Sequence, residues 1–524
     1  MGYIKRTLVV APIAAALIAT PAQAGEVIVV DGDHAVRKND PAVPTRAEIE
    51  LGDASLAAET AGRGGAAPAG RGAAASGRGR ASASRARSAT RARAAGSASA
   101  RRAVDRAIGR ARGVSAADKK RWQRSYALSL RTLSRLSGAR ATQLRYVISS
   151  VERLALNGAL SASRMPVSFL QLDRNRQYWR RLPFLAREDQ VTFRGSQLVY
   201  EYFPGEGLQL HPLNTFKKAN ALHGFCERNE PNCDRAALRS LLDEMTGLAP
   251  RRSPRFIAWE YMFDFGGGSP PWMSAMAQAT GIQAYGRAAQ LLGEPSYIKT
   301  ARKALGAYET PPPVGVRTGG PRGGVAYLQY SFAPRLYIFN AFLQTLIGLY
   351  DFSKLAPDNH AGELFRQAEP EARAEVPFSD VGDWSRYSYA GAESTAEYHE
   401  LLRELLESMC IRRLGDIYCD YAKRYRGYQV DPPELRFVGP RIAPEDVTTS
   451  IRFTVSKLSA VEVKVYKGTS LALSRLATFR RGSGSFAWRP SSPGLYSVRL
   501  AAKELRTGLG KRDRVSGEIE VEAH

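Results

Sequence analysis

The hydrophobic period changes once along this chain, and that change limits the folds open to it. Between about residues 115 and 430 apolar residues recur every three or four positions, as in Trp122, Tyr126, Leu130 and Leu133. After Asp431-Pro432-Pro433 they alternate, as in Val461, Val463 and Val465. The first period is that of amphipathic helices and the second that of half-buried strands. The sequence therefore predicts a mainly α body over 115–430, followed by an immunoglobulin-like β-sandwich over 431–524.

Helical segments joined by Gly/Pro-rich loops over some 300 residues indicate an (α/α) toroid or a solenoid. One exception lies early in this body. Residues 191–194 and 197–203 have strand composition on either side of Gly195-Ser196. We predict a small β-hairpin inserted there.

The N-terminal region resembles an export signal followed by a linker. Residues 1–24 carry Lys5 and Arg6, an apolar run and Ala22-Gln23-Ala24, which is typical of a cleaved signal peptide, so we expect a secreted protein. No other apolar stretch is long enough to predict a membrane span. The chain has a net charge of +25, and residues 63–112 contain 13 arginines and one acid. We predict a disordered basic linker over 25–114.

Two interpretations of this linker stay open: an arm that binds an acidic polymer, or a plain spacer. Nucleic acid is disfavoured as a partner because no aromatic residues are interleaved with the arginines. The cysteines are Cys226, Cys233, Cys410 and Cys419. Their spacing favours two short disulfides between sequence neighbours, with free thiols as the alternative. No zinc-binding pattern is present, so we predict no metal site.

Tyrosines are concentrated near predicted loops and helix starts. The three segments that stand out are Tyr327–Tyr330, Tyr387–Tyr389 and Glu397–His399. Tyr398 falls in the first turn of a predicted helix, where the positive end of the helix dipole favours an anion. A phenol, whose usual pKa is about 10, needs such help to act as a base near neutral pH.

Two longer motifs surround these tyrosines. Residues 270–278 read Pro-Pro-Trp-Met-Ser-Ala-Met-Ala-Gln, and residues 340–351 read Asn-Ala-Phe-Leu-Gln-Thr-Leu-Ile-Gly-Leu-Tyr-Asp. Together with Tyr398-His399, they make residues 255–412 resemble the D-glucuronyl C5-epimerases of heparan sulfate and heparin biosynthesis. A weaker likeness covers residues 204–212, which are similar to a stretch lining the cleft of that family.

The resemblance implies an (α/α) toroid that binds an acidic, uronate-containing polysaccharide in a cleft. It also implies a reaction without a redox cofactor, in which the C5 proton of glucuronate is removed and returned to the opposite face to give iduronate. The catalytic tyrosines of the family correspond to Tyr330, Tyr387 and Tyr398, and its cleft asparagine to Asn340. Gln329 stands where the family has glutamate, and this difference leaves epimerisation open to question.

Loss of the C5 proton makes an enediolate, which needs hydrogen-bond donors or cations. The expected substrate-binding residues are Asn340, Gln329, His399, Arg335, Gln209, His211, Trp272 and Gln278. The aromatic segment Trp259–Phe265 has two interpretations, sugar stacking and core packing. Two other functions stay possible: a uronate polysaccharide lyase and an inactive glycan-binding protein. The sequence predicts no oligomeric state.

Overall fold

The computed structural model describes residues 25–45 and 97–523 and divides the chain into two compact units, residues 1–375 and 376–524. The predicted signal peptide and linker residues 46–96 lie outside the described residues. No helix of the described ranges is long and apolar enough to cross a membrane.

The first unit contains a five-stranded sheet. Its strands are β1 (Gly25–Asp31), β2 (His34–Asp40), β3 (Gln190–Phe193), β4 (Tyr200–Phe203) and β5 (Gly207–Leu210), in the order β2-β1-β3-β4-β5. The predicted hairpin is present as β3 and β4. Strand β1 pairs in parallel with β3, across some 160 residues of sequence. Residues 25–40 are therefore not the disordered linker that we predicted, because the apolar residues of β1 pack in a core with Val43 and Val199.

Ten helices are described in the first unit. They are α1 (residues 97–110), α2 (Ala116–Leu133), α3 (Gly138–Leu156), α4 (Met165–Trp179), α5 (Pro212–Glu227), α6 (Arg235–Gly247), α7 (Ala275–Leu292), α8 (Pro295–Ala304), α9 (Phe339–Leu355) and α10 (Asn359–Glu375). Helix α1 also corrects the predicted linker, because Val104 and Ile108 occur at helical spacing and are fully buried. A short hairpin, β6 (Arg317–Gly319) and β7 (Val325–Tyr327), precedes α9.

Helix α7 is the central packing element of this unit and contacts both α5 and α9. Two glycines allow these close approaches. A Cβ atom on Gly348 would lie 2.6 Å from the backbone oxygen of Ala279, and one on Gly281 would lie 2.6 Å from the ring of Phe216. Ser274 caps the N-terminus of α7 by accepting from the Ala277 N–H. The N-terminal end of α7 is thereby fixed beside the segment that carries Gln329 and Tyr330.

The second unit begins with helices α11 (Ala396–Ile411) and α12 (Asp416–Val430). Eight strands follow: β8 (Leu435–Gly439), β9 (Ile442–Pro444), β10 (Thr449–Val455), β11 (Ser459–Lys467), β12 (Ser470–Phe479), β13 (Gly482–Trp488), β14 (Gly494–Glu504) and β15 (Arg512–Glu522). They form two sheets, β13-β10-β8 and β12-β11-β14-β15-β9, whose apolar side chains share one core. The change from helix to strand falls near residue 431, but the compact units divide after Glu375.

Both predicted disulfides are present between sequence neighbours. Cys226 is bonded to Cys233 in the first unit, and Cys410 to Cys419 in the second. The second bond joins the last turn of α11 to the first turn of α12.

Candidate functional site

A cleft of about 430 Å³ opens in the first unit between two loops of different origin. One wall is the β4–β5 turn with Pro204 and Glu206, and the other is the glycine loop 266–268 with its neighbours Asp264 and Phe265. Both loops fall in stretches for which the sequence predicted a role in the cleft. Charged groups of both signs line the cleft, since Arg187 is also part of its wall.

Asp264, one of two acids in the cleft wall, is held by two side chains from α3. Its carboxylate accepts from Tyr146 Oη at 2.7 Å and from Arg153 Nη2 at 2.6 Å. Tyr146 Oη also accepts from the Asp264 N–H at 2.7 Å. These contacts fix the start of the glycine loop against α3.

An aromatic cluster lies behind the cleft and contains Tyr330. Its ring is stacked on Phe332, with 5.4 Å between centroids, and lies 5.5 Å from Phe265 and 5.7 Å from Trp272. Tyr330 is buried and contacts Phe265, which lines the cleft. A Cβ atom on Gly268 would lie 2.3 Å from the Phe332 ring, so only glycine fits at this point of the loop.

Gln329 and Asn340 are both nearly buried and both bonded within the protein. The Gln329 Oε1 atom accepts from Ser274 Oγ at 3.1 Å, which places the amide at the N-terminus of α7. Asn340 lies in the first turn of α9, and its Oδ1 atom accepts from the Ala341 N–H at 2.7 Å. Arg335 is exposed on the loop before α9. These three residues keep their predicted substrate-binding role as a proposal.

The structure brings two of the three predicted catalytic tyrosines together. The rings of Tyr387 and Tyr398 meet edge to face, with 4.8 Å between centroids. Tyr398 lies in the first turn of α11, as predicted, and its N–H points to the Thr395 cap. Tyr387 lies on a hairpin-like loop, where its N–H donates to the Ala392 carbonyl. Tyr330 belongs to the other unit.

His399, next to Tyr398, is fully buried. Its Nδ1 atom lies 2.8 Å from Ser385 Oγ, and its Nε2 atom lies 3.1 Å from the Tyr425 carbonyl oxygen. The carbonyl requires a proton on Nε2, so Nδ1 accepts from the serine. Burial lowers the pKa of His399 to about 4. The substrate-binding role of His399 stays a prediction, and in the structure both ring nitrogens bond within the protein.

Two residues of the 270–278 motif also bond within the protein. Gln278 Nε2 donates to the Trp259 carbonyl at 2.9 Å, and its Oε1 accepts from the Trp259 N–H at 3.1 Å. Trp272 is stacked on Tyr261 with 4.1 Å between centroids and donates to the Phe263 carbonyl. Both side chains are buried, and their polar atoms are occupied. Both substrate-binding roles stay predictions, and most side chains of segment 259–265 are buried.

Two more predicted substrate-binding residues lie in β5 and directly after it. Gln209 is fully buried, accepts from Gln171 Nε2 and donates to the Glu206 carbonyl. His211 caps α5 by accepting from the Asn214 N–H at 3.1 Å, and burial lowers its pKa to about 3. Both side chains hold the β4–β5 turn and the following helix in place, and neither reaches the cleft surface.

A pair of buried carboxyl groups on α10 escaped the sequence analysis. Glu371 accepts from the N–H groups of Arg322 and Gly324, at 2.7 and 2.6 Å, and so holds the glycine-rich loop between β6 and β7. Glu375 lies one turn later, and burial together with Glu371 raises its pKa to about 9. The sequence signal that could have revealed this pair is two acids four positions apart on an otherwise apolar helix face.

Among the residues in 25–45 and 97–523, no group of three or more His, Cys, Asp or Glu side chains is placed to hold a metal ion.

Comparison with known proteins finds a family match for part of the chain. Residues 252–427 match the family model described as D-glucuronyl C5-epimerase C-terminus. The predicted resemblance is confirmed for this segment. A D-glucuronyl C5-epimerase of Caenorhabditis elegans is 30% identical over 178 residues, which are 30% of this chain and 29% of that protein. Tyr330, Tyr387 and Tyr398 all lie inside the matched segment.

Two other similarities are more remote. An uncharacterized protein of Methanocaldococcus jannaschii is 25% identical over 195 residues, which are 36% of this chain and 63% of that one. The endo-β-1,4-glucanase CMCax of Acetobacter xylinum is 13% identical, with a TM-score of 0.29, over 41% of this chain and 72% of that structure. The chain thus spans less than two thirds of the length of the nematode epimerase and of the archaeal protein.

Proposed function

We propose that this protein is a secreted uronosyl C5-epimerase that converts glucuronate to iduronate residues within an acidic polysaccharide. The match of residues 252–427 to the C-terminal segment of D-glucuronyl C5-epimerases carries the proposal, because all three candidate catalytic tyrosines lie inside it. The same proposal includes three further predictions: the (α/α) toroid, the immunoglobulin-like form of strands β8–β15 (the strand region), and export through residues 1–24.

The proposed reaction needs two proton-transfer groups. The C5–H bond lies next to the uronate carboxylate, so its electron pair passes into an enediolate when the proton leaves to a phenolate oxygen. A phenol on the opposite ring face then donates a proton to C5. Tyr398 and Tyr387 are two candidates on one unit, and the place of Tyr398 in the first turn of a helix favours its phenolate form. Tyr330 is the third candidate.

Gln329 restricts the possible roles in this scheme. A neutral amide donates a hydrogen bond but accepts no proton from carbon. We therefore assign both proton transfers to tyrosines and none to Gln329. Its anchoring by Ser274 at the N-terminus of α7 supports a fixed amide orientation.

The glutamine also keeps a second function open. A uronate lyase uses the same first step, but the enediolate then expels the C4 oxygen and forms a C4–C5 double bond. Loss of a family carboxylate at position 329 is the observation that favours this alternative. An inactive glycan-binding protein is the third candidate, supported by the net charge of +25.

One incubation separates the three functions. The purified chain is incubated with heparosan, an unsulfated glucuronate polymer, in deuterium oxide. Deuterium at C5 together with iduronate signals by NMR supports the epimerase. Chain shortening with new ultraviolet absorbance supports the lyase and contradicts the epimerase. Retention on immobilised heparosan with neither change leaves only a binding protein.

A further inference from the structure

Arg506 is a nearly buried arginine in the turn between β14 and β15 of the second unit. Only 9% of its side chain is exposed. The turn is held by Glu504, whose carboxylate accepts from the N–H groups of Arg506 and Thr507 and from the Thr507 hydroxyl. Glu504 therefore holds the backbone of this turn independently of the contacts that the Arg506 guanidinium makes.

The guanidinium joins two acids that flank one loop. Its Nη2 atom lies 3.1 Å from Asp383 Oδ2, and its Nη1 atom lies 2.9 Å from Glu393 Oε2. Residues 383 and 393 stand at the two ends of the hairpin-like loop that carries Tyr387. One side chain of the strand region thus ties both ends of this loop together.

Aromatic contacts extend this link towards Tyr398. The Arg506 guanidinium lies over the Trp384 ring, 5.4 Å from its centroid. Trp384 in turn is stacked on His399 with 3.7 Å between centroids. His399 is the neighbour of Tyr398 in the first turn of α11. These contacts link Arg506 to Trp384, which is in the loop of Tyr387, and through it to His399, which follows Tyr398 in the chain.

Arg506 lies outside residues 252–427, the segment that matches the family model. The matched segment ends in α12, and the strand region follows it in the chain. Sequence patterns alone make such a region a spacer or a binding module. The contacts of Arg506 instead make it a support for a loop of the matched segment.

We propose that Arg506 is a positioning residue for Tyr387 and Tyr398, so that the strand region takes part in the chemistry of the adjoining segment. The inference rests on the proposed C5 proton transfer. Arginine is suited to this task because its planar fork binds two carboxylates at once, which a lysine ammonium does less well. The loop keeps a conformation in which the two phenols meet.

The test compares Arg506→Ala and Arg506→Lys with Arg475→Ala. Arg475 is an exposed arginine on β12 of the same sheet and serves as the matched control. We expect kcat for C5 exchange on heparosan to fall about 30-fold in Arg506→Ala, with KM changed by less than about threefold. Arg506→Lys should recover about a third of kcat, and Arg475→Ala should match wild type.

Hydrogen exchange measured by mass spectrometry gives a readout that needs no activity. The N–H groups of Arg386, Tyr387 and Ser394 are bonded in or beside the loop and should exchange at least about tenfold faster in Arg506→Ala, whereas α12 and β11 stay protected. Unchanged exchange in the loop, or equal loss of protection throughout the unit, would overturn the inference. A wild-type protein with no C5 exchange would refute the proposed function alone, since the exchange of the loop is measured separately.

Discussion

The indole ring of Trp384 lies almost parallel to the imidazole ring of His399, with 3.7 Å between centroids and 9° between planes. This stacking joins the loop of Tyr387 to the helix of Tyr398. Both ring nitrogens of His399 are hydrogen-bonded, which anchors the first turn of α11 to Ser385 and to the Tyr425 carbonyl.

Replacing Tyr398 with phenylalanine removes the proposed proton-transfer group and keeps the ring. We expect C5 deuterium exchange to fall at least about 100-fold, whereas the Kd for heparosan changes by less than about twofold, because proton transfer is lost and binding contacts remain. Tyr421→Phe on α12 is the matched control and should keep full exchange. Full exchange in Tyr398→Phe would remove this tyrosine from the mechanism.

The buried state of His399 predicts an acid-sensitive second unit. Its pKa is lowered to about 4 in the folded chain, against about 6.5 when unfolded. The unfolded chain therefore takes up a proton that the folded chain refuses, and stability falls as pH drops from 6.5 towards 4. The loss should reach about 3 kcal/mol. Denaturant unfolding of wild type and His399→Gln between pH 7 and 4 should give a flatter dependence for the variant.

Glu375 predicts the opposite slope for the first unit. Its pKa of about 9 exceeds the unfolded value of 4.5, so the unfolded chain releases a proton that the folded chain keeps. Stability is greatest below pH 4.5 and falls as pH rises towards 9. We expect Glu375→Gln to raise the free energy of unfolding by about 3 kcal/mol at pH 7. A variant as pH-sensitive as wild type in thermal unfolding would contradict this assignment.

The Lys457 side chain binds backbone carbonyl groups at the C-terminal end of α12. Its Nζ atom donates to the carbonyls of Gly427, Tyr428 and Asp431, at 3.1, 2.8 and 2.6 Å. Lys457→Met leaves three carbonyl groups without this donor and should lower the free energy of unfolding by about 3 kcal/mol. Lys464→Met is an exposed control on β11 and should change stability by less than about 0.5 kcal/mol.

Local patterns predicted the elements whose cause is local. The strand composition on either side of Gly195-Ser196 indicated β3 and β4, and the helical spacing after Thr395 indicated α11. Short separations allowed the pairing of the cysteines to be predicted. The composition of residues 63–112 led us to predict disorder, which is wrong near the end of that segment. Alanines together with Val104 and Ile108 suffice there for a helix that packs.

Long-range contacts could not be predicted from one sequence. Strand β1 pairs with β3 through parallel hydrogen bonds, and no local period records such a partner. For the same reason the sequence does not reveal the hydrogen-bond partners of two residues predicted to bind substrate. Gln278 and His399 have the chemistry of substrate-binding groups, but their partners are the Trp259 backbone and Ser385, which only the fold brings near.

The Cys410–Cys419 bond fastens the far end of the helix that begins with the proposed proton-transfer tyrosine. A host with a reducing cytoplasm would yield this chain with two thiols there, and α11 and α12 would depend on packing alone. Preparations from reducing and oxidising hosts are then chemically different proteins. Every kinetic comparison of variants should begin with a thiol titration, so that a missing crosslink is not mistaken for an effect of the substitution.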